Sequence, residues 1–324
     1  MDTPSIDDLP RPSVGRLAPS PTGLLHVGHA RSFLLAWWHA RASGGRIVLR
    51  LEDLDGDRVK PGMAEQCVRD LAWLGLDWDG PTIVQSQGTA EIDAAVTELV
   101  ARGLAYPCVC SRKEIEAAQS APHPGQEKGR YPGTCRGKWP TLAEAERATG
   151  KPAAARLVVE PGRIELVDAF AGPFASDPWS EVGDFPIARR AGAAAYQLAV
   201  VVDDGRAGVT VVVRGDDLLS STARQWLLQR ALGLPHPAWH HVPLVVDEGG
   251  RRLAKRSDDL SLSELRTRGV PAERVVAWVA RRSGLPDAEP AAAERFVHAF
   301  TLKNVRRTPL VLDRGALAEL VDGR

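Results

Sequence analysis

In the stretch "VGRLAPSPTGLLHVGHARSFLLAWWHARASGGRIVLRLED", residues 14–53, the hydrophobic period changes twice. "VGRLAPS" (14–20) reads as a short strand running into a loop. "HVGHARSFLLAWWHARASGG" (26–45) then places Val27, Ala30, Phe33, Leu34, Trp37 and Trp38 close to a helical period, with Gly44-Gly45 as the stop. "RIVLRLED" (46–53) is a second strand and "MAEQCVRDLAWLGLDW" (63–78) a second helix. Strand, helix, strand and helix at this spacing predict an α/β fold with a doubly wound parallel sheet. Ligands of such sheets bind beyond the carboxyl ends of the strands, where Arg16 to Ser20 and Glu52-Asp53 fall.

Outside this stretch the organisation is coarser. At roughly 100–200 residues per domain, 324 residues suggest two or three domains. Residues 1–13 are acidic, Pro-rich and expected to be flexible, with no apolar region of a signal peptide. Residues 14–103 read as the first half of the α/β domain. The Cys-, Gly- and Pro-rich texture of 104–180 marks an inserted subdomain. The α/β pattern resumes over 181–245, with "AAAYQLAVVVDD" (193–204), "VTVVVRGDDL" (209–218) and an amphipathic helix at 222–234. Residues 246–324 carry a basic loop and a helical region with basic clusters at Arg281-Arg282 and Lys303 to Arg307. No window approaches the roughly 18 apolar residues of a membrane span, and no dimerisation element stands out. The expectation is a soluble, cytoplasmic monomer. A formal net charge of +0 gives no global attraction to nucleic acid but leaves room for local basic patches.

Three groups of residues carry chemistry. A helix N-terminus presents unpaired N–H groups and partial positive charge, a natural anion site. His26 and His29 can lie on one side of the first turn, and Gly28 would let a planar ligand approach the backbone. Two imidazoles there suit a polyphosphate whose charge grows during a displacement, although alone they are equally a capped helix with satisfied histidines. "RRLAKRSDD" (251–259) sets Arg251, Arg252, Lys255 and Arg256 on a polar loop. It could close over phosphates with a lysine as mobile charge, or be merely solvated. Lastly, Cys108, Cys110 and Cys135 cluster in one segment without a secretory signal, which is no disulfide framework. They can supply three thiolates to a tetrahedral Zn²⁺. No further Cys lies nearby, and His123 is the one histidine of that loop. Cys67 sits on a helical pattern and reads as core.

Together "HVGH" (26–29) and "RLAKR" (252–256) resemble the two signatures of the class I aminoacyl-tRNA synthetases, His-Ile-Gly-His and Lys-Met-Ser-Lys-Ser, in the same order and with similarly wide separation. "GRLAPSPTGLLHVGHAR", "RLEDLD", "YQLAVVVDD" and "VVVRGDDLLSSTARQ" resemble the glutamyl branch, over about Val14 to Ser261. The resemblance implies a Rossmann-type catalytic domain, ATP held by His26, Gly28, His29 and Lys255, and catalytic roles for His26, His29 and Lys255. It implies a glutamate site of Arg16, Leu17, Ala18, Pro19, Ser20, Glu52, Tyr196 and Arg214. The chemistry of glutamate agrees: two carboxylates and one ammonium need two guanidinium-like donors and one acid. For the metal, the resemblance implies Tyr131 as fourth ligand. Arg252 and Ala254 depart from the Lys and Ser of the second signature. Arg252 keeps the charge in another shape, and Lys255 retains the second lysine.

The sequence stops at Arg324, before the anticodon-binding helices of full-length glutamyl-tRNA synthetases. With the Cys, Cys, Tyr, Cys set, it resembles the glutamyl-queuosine tRNA(Asp) synthetases. That implies glutamate activation by ATP and Mg²⁺ without tRNA, then transfer to the queuosine base in the anticodon of tRNA(Asp). The alternatives are a minimal glutamyl-tRNA synthetase charging a 3′ end and a non-catalytic tRNA-binding paralogue. On this reading Lys255→Ala should greatly slow adenylate formation while leaving glutamate binding nearly intact. Unchanged ATP–pyrophosphate exchange would refute the role given to Lys255.

Overall fold

The computed structural model describes residues 12–120, 130–189, 194–253 and 261–323. Its first strand is short. Val14–Leu17 (β1) has all four side chains buried and is followed at once by the Pro19-Ser20-Pro21 run, where proline removes ladder donors. Val27–Ala42 (α1) follows and stops at Ser43, with Gly44 in the left-handed region at φ 69°. Arg46–Leu51 (β2), Met63–Trp73 (α2), Ile83–Val84 (β3) and Ala90–Ala101 (α3) complete the first half. The insertion runs through Ala105–Cys108 (β4), Arg112–Ser120 (α4), Leu142–Thr149 (α5), Ala154–Leu157 (β5), Ile164–Asp168 (β6), Gly172–Ser176 (β7), Pro178–Glu181 (α6) and Pro186–Ala188 (β8). Tyr196–Ala207 (α7), Val211–Gly215 (β9), Thr222–Leu232 (α8) and Ala238–Val242 (β10) return to the main sheet. Val245–Val246 (β11), Leu262–Thr267 (α9), Ala272–Arg281 (α10), Leu310–Val311 (β12) and Arg314–Asp322 (α11) end the chain.

The strand pairings set the architecture. β1 pairs in parallel with β2, and β2 with β3; β9 pairs in parallel with β10. The two pieces meet between β1 and β9, where Thr210 N–H donates to Val14 O and Val14 N–H to the Thr210 hydroxyl, both at 2.9 Å. The spatial order is therefore β3, β2, β1, β9, β10, and the chain winds outward in both directions from β1 and β9. This is the parallel, doubly wound α/β sheet expected from residues 14–78. Its topological switch point lies between β1 and β9. In the insertion, β4, β5 and β8 form an antiparallel sheet that continues past Ser180 to Ala188, while β6 and β7 form a hairpin packed against β10.

Packing decides two features, the second of them a correction. Val200-Val201-Val202 are β-branched, yet they lie inside α7, buried against α3, α8 and β8. Burial outweighs their weak helix propensity. The region after residue 246 is not wholly helical, because β11 pairs in parallel with β12. Among the described residues no helix is long and apolar enough to cross a membrane. Cys67, on α2, is buried in the main core.

The central helix α1 is apolar on nearly every side, the mark of a helix enclosed by other elements. It lies between the sheet and the C-terminal region. Trp38 is fully buried there, donates from Nε1 to Ala293 O at 2.8 Å and packs on Phe296 and Phe300. Trp38→Ala should cost about 3–5 kcal/mol, the range for truncating a buried aromatic. A lowered unfolding midpoint by denaturant titration would show it, and an unchanged midpoint would mean that α1 does not anchor the C-terminal region.

Candidate active site

A cleft of about 580 Å³ opens at the carboxyl ends of β1, β2 and β9, over the switch point. It is lined by Arg16, Ala18, Pro19, Ser20, Glu52, Tyr196 and Arg214, and on another side by His26, Gly28, His29 and Arg252. Residues from distant parts of the chain thus share one wall. Leu17 is a correction. Strand alternation turns its side chain into the core, fully buried, while Arg16 and Ala18 face the cleft. Glu52 is held at the rim because its N–H donates to Pro19 O at 3.0 Å, which ties the end of β2 to the turn after β1. Tyr196 opens α7 and remains 37% exposed, toward the cleft.

The floor is a charge network. Arg50, fully buried on β2, donates from Nη1 to Asp204 Oδ1 at 2.6 Å and from Nη2 to Glu52 Oε1 at 3.0 Å. Arg16 Nε lies 3.6 Å from the same Asp204 oxygen, an ion pair too long for a hydrogen bond. Burial pushes the Asp204 carboxyl upward, but the guanidinium groups of Arg50 and Arg16 outweigh it and hold the group below the usual carboxylate range. Arg214 donates from Nε to His241 Nε2 at 2.8 Å and from Nη2 to the Thr222 hydroxyl at 3.3 Å. Its buried Nη1 has no hydrogen-bond partner among the described residues. Burial lowers the pKa of Arg214, so an anion meeting that edge would relieve a desolvated cation. Three guanidinium groups (Arg16, Arg50, Arg214) lie among three carboxylates (Asp203, Asp204, Glu52), and the Nη1 edge of Arg214 is left without a partner among the described residues.

Arg50, Asp204, His241 and Thr222 escaped the sequence reading. Arg50 had a signal: it precedes Glu52 by two residues on a strand, hence on the same face. Asp204 ends the "VVVDD" run, but nothing local marks it as the partner of an arginine more than a hundred residues earlier.

At the other wall His26 is the N-cap of α1 and His29 its third residue. His26 Nδ1 accepts from Gly28 N–H at 3.1 Å, and His29 Nδ1 accepts from His26 N–H at 3.2 Å, a capping box made of two imidazoles. The backbone N–H groups of His26, Gly28 and His29, expected to receive an anion, are therefore already engaged. What the rings present instead follows from their tautomer: with Nδ1 accepting, each ring carries its proton on Nε2 and is a donor there. Gly28, which lines the cleft, has a further role beside the one its sequence suggested. A Cβ at this position would stand 3.0 Å from His26 Nδ1 and Cε1, so glycine lets the His26 ring fold over the backbone.

Of the second signature, Lys255, Ala254 and Arg256 lie outside the described residues, as does His123. The flanks of that loop are described. Arg252 bridges Val246 and is ion-paired to Asp217 at the cleft, and Ser261 bridges His26.

In the insertion, the Sγ atoms of Cys108, Cys110 and Cys135 lie within 4.8 Å of one another, an arrangement that could hold a metal ion. The Tyr131 hydroxyl stands 3.2 Å from Cys108 Sγ and 3.4 Å from Cys110 Sγ, and Cys110 and Cys135 are 3.4 Å apart. A tetrahedral thiolate site sets its sulfurs about 3.8 Å apart, from metal–sulfur bonds near 2.3 Å. The four donors fit such a site after an expansion of a few tenths of an ångström. Burial pushes the Tyr131 phenol far up and the Cys110 thiol to about 11. The Arg156 guanidinium lies 3.9 Å over the Tyr131 ring and donates to Cys108 Sγ, which favours an anionic donor set.

Comparison with known proteins agrees with this geometry. Residues 14–318 match the family described as class I tRNA synthetases (E and Q), catalytic domain. A glutamyl-Q tRNA(Asp) synthetase of Rhodopirellula baltica is 46% identical over 321 residues, covering 93% of this chain and 97% of that protein. One of Symbiobacterium thermophilum is 45% identical over 319 residues, covering 95% and 98%. The crystal structure of a glutamate-tRNA synthetase from Elizabethkingia anophelis superposes with a TM-score of 0.81 at 24% identity, over 95% of this chain and 69% of that one. That last likeness is one of fold.

Proposed function

Since the chain belongs to the family of class I tRNA synthetase (E and Q) catalytic domains, we propose that it activates L-glutamate with ATP, in the absence of tRNA, and transfers it to the queuosine base in the anticodon of tRNA(Asp). The observation that carries the reading is the cleft floor. Glutamate brings two carboxylates and one ammonium to a cleft in which two guanidinium groups, Arg16 and Arg214, and one carboxylate, Glu52, stand together. Arg16 and Arg214 divide the carboxylates and Glu52 takes the ammonium. Ala18, Pro19, Ser20 and Tyr196 shape the pocket around the side chain, and Leu17 contributes backbone alone.

In the first step a glutamate carboxylate oxygen attacks the α-phosphorus of ATP in line. The bond to the bridging oxygen breaks and pyrophosphate leaves. His26 and His29 donate from Nε2 to the phosphates as charge shifts onto the leaving group, and Gly28 keeps the His26 ring in place. Lys255, on the loop whose flanks abut the cleft, neutralises the pyrophosphate. Mg²⁺ supplies further charge neutralisation when it accompanies ATP. In the second step a hydroxyl of the queuosine cyclopentene ring attacks the adenylate carbonyl, forming the ester and releasing AMP.

The queuosine acceptor is favoured over a tRNA 3′ end by the names of the relatives matched along nearly their whole length. We assign Zn²⁺ to the cluster, held by Cys108, Cys110, Tyr131 and Cys135 in a closed structural site, and place the reaction in the cytoplasm. The decisive measurement is transfer of labelled glutamate, with ATP and Mg²⁺, to queuosine-containing tRNA(Asp), queuosine-free tRNA(Asp) and tRNA(Glu). Label on the first alone is expected; label on tRNA(Glu) would replace the reading with 3′-end charging. Metal analysis of protein never exposed to chelator should give about one zinc per chain, as a single tetrahedral site requires. Cys135→Ser should lower that content sharply. Finding no zinc would remove the metal assignment.

A further inference from the structure

Arg214 does not choose its own orientation. Its strand, β9, lies beside β10 with Arg214 opposite His241, and His241 Nε2 takes the Arg214 Nε–H at 2.8 Å. Behind the imidazole stands Asp168, the last residue of β6 and part of the insertion rather than of the sheet. His241 Nδ1 donates to Asp168 Oδ2 at 2.6 Å, and both side chains are fully buried. Asp168 is itself fixed: Oδ1 accepts the N–H groups of Phe170 at 2.9 Å, Ala171 at 2.6 Å and His241 at 3.1 Å. Neither Asp168 nor His241 lines the cleft.

We propose that Asp168 and His241 are positioning residues: the carboxylate locks the imidazole in the Nδ1–H tautomer, and the Nε2 lone pair then aims the Arg214 guanidinium at the substrate carboxylate. Burial lowers the basicity of His241 despite the neighbouring carboxylate, so the ring is neutral and can accept. With Nε on His241 and Nη2 on Thr222, the buried Nη1 is the edge left to grip the ligand. A bulky acceptor behind Arg214 would do as much for packing. Only a ring with a defined tautomer dictates which of its nitrogens faces the arginine.

The inference rests on Arg214 binding glutamate, and the test separates the two. In Asp168→Asn the backbone donors of Phe170 and Ala171 hold the amide oxygen at the Oδ1 position. The amide nitrogen then faces Nδ1 and reverses the tautomer, setting Nε2–H against Nε–H of Arg214. Glutamate-dependent ATP–pyrophosphate exchange on the full chain should show the glutamate KM raised about 10- to 100-fold, the range for losing a hydrogen bond to a charged group. The ATP KM should be unchanged and kcat nearly so. His241→Phe should raise the glutamate KM likewise, and His241→Gln, which keeps an acceptor near the Nε2 position, should recover much of it. Equal glutamate KM in His241→Phe and His241→Gln, or parallel shifts in the KM for glutamate and ATP, would overturn the proposal even if Asp168→Asn proved insoluble. Arg214→Ala is the reference. If it leaves the glutamate KM unchanged, the amino-acid-site reading falls first. If it raises the KM while Asp168→Asn does not, only the positioning role falls.

Discussion

A guanidinium group can be buried only where something compensates its charge, and this constraint organises the centre of the molecule. Arg50 has no exposure at all, and it is tolerable there because Asp204 and Glu52 take its donors. Burial alone would lower the Arg50 pKa, yet the two carboxylates raise it well above the ordinary arginine value. Asp204 comes from α7 and Glu52 from the end of β2, so one side chain fastens the two halves of the catalytic domain across the insertion. The same Asp204 oxygen steadies Arg16. The acid that structures the floor is thus shared, and the buried Nη1 of Arg214 is a donor edge left without a partner among the described residues.

The sheet explains why these groups meet where they do. β1 and β9 are neighbours that lead outward in opposite directions, and a crevice at their carboxyl ends follows from the topology. Arg16 and Arg214 stand on these two neighbouring strands and both line it. The insertion interrupts the winding but does not leave the site: its hairpin β6–β7 packs on β10 and brings Asp168 to His241. Arg307, from the C-terminal region, stacks on Phe170 and donates to its carbonyl, bracing the turn that holds Asp168.

What the sequence disclosed and what it hid divide along a physical line. The strand–helix alternation of residues 14–78 was legible because period 2 and period 3.6 are local patterns. Arg16, Glu52, Tyr196 and Arg214 fell on recognisable blocks and line one cleft. The partners that make those residues work were not legible. His241 and Asp168 are separated by 73 residues, and Arg50 and Asp204 by 154, with no spacing rule to relate them. Leu17 shows the reverse error, since a block was carried over whole although a strand shows only alternate side chains to the cleft. The pairing of β11 with β12 failed to declare itself because tertiary packing decided it.

The histidines show how one side chain serves opposite ends of the same reaction. At the first turn of α1, His26 and His29 accept backbone N–H groups at Nδ1 and so carry their protons outward on Nε2. The helix terminus thereby extends its donor character past its own backbone, toward the cleft. At Arg214 the arrangement is inverted. His241 gives its proton to Asp168 from Nδ1 and turns a lone pair toward a guanidinium. Either tautomer depends on the neutral ring, because a second proton would set N–H against N–H at Gly28, at His26 or at Arg214. The same cleft is thus served by imidazoles of opposite tautomer, each fixed by a partner on the far side of its ring. For the arginine that partner is a carboxylate buried in the insertion, so the insertion braces a side chain of the cleft from behind as well as carrying the cysteine cluster.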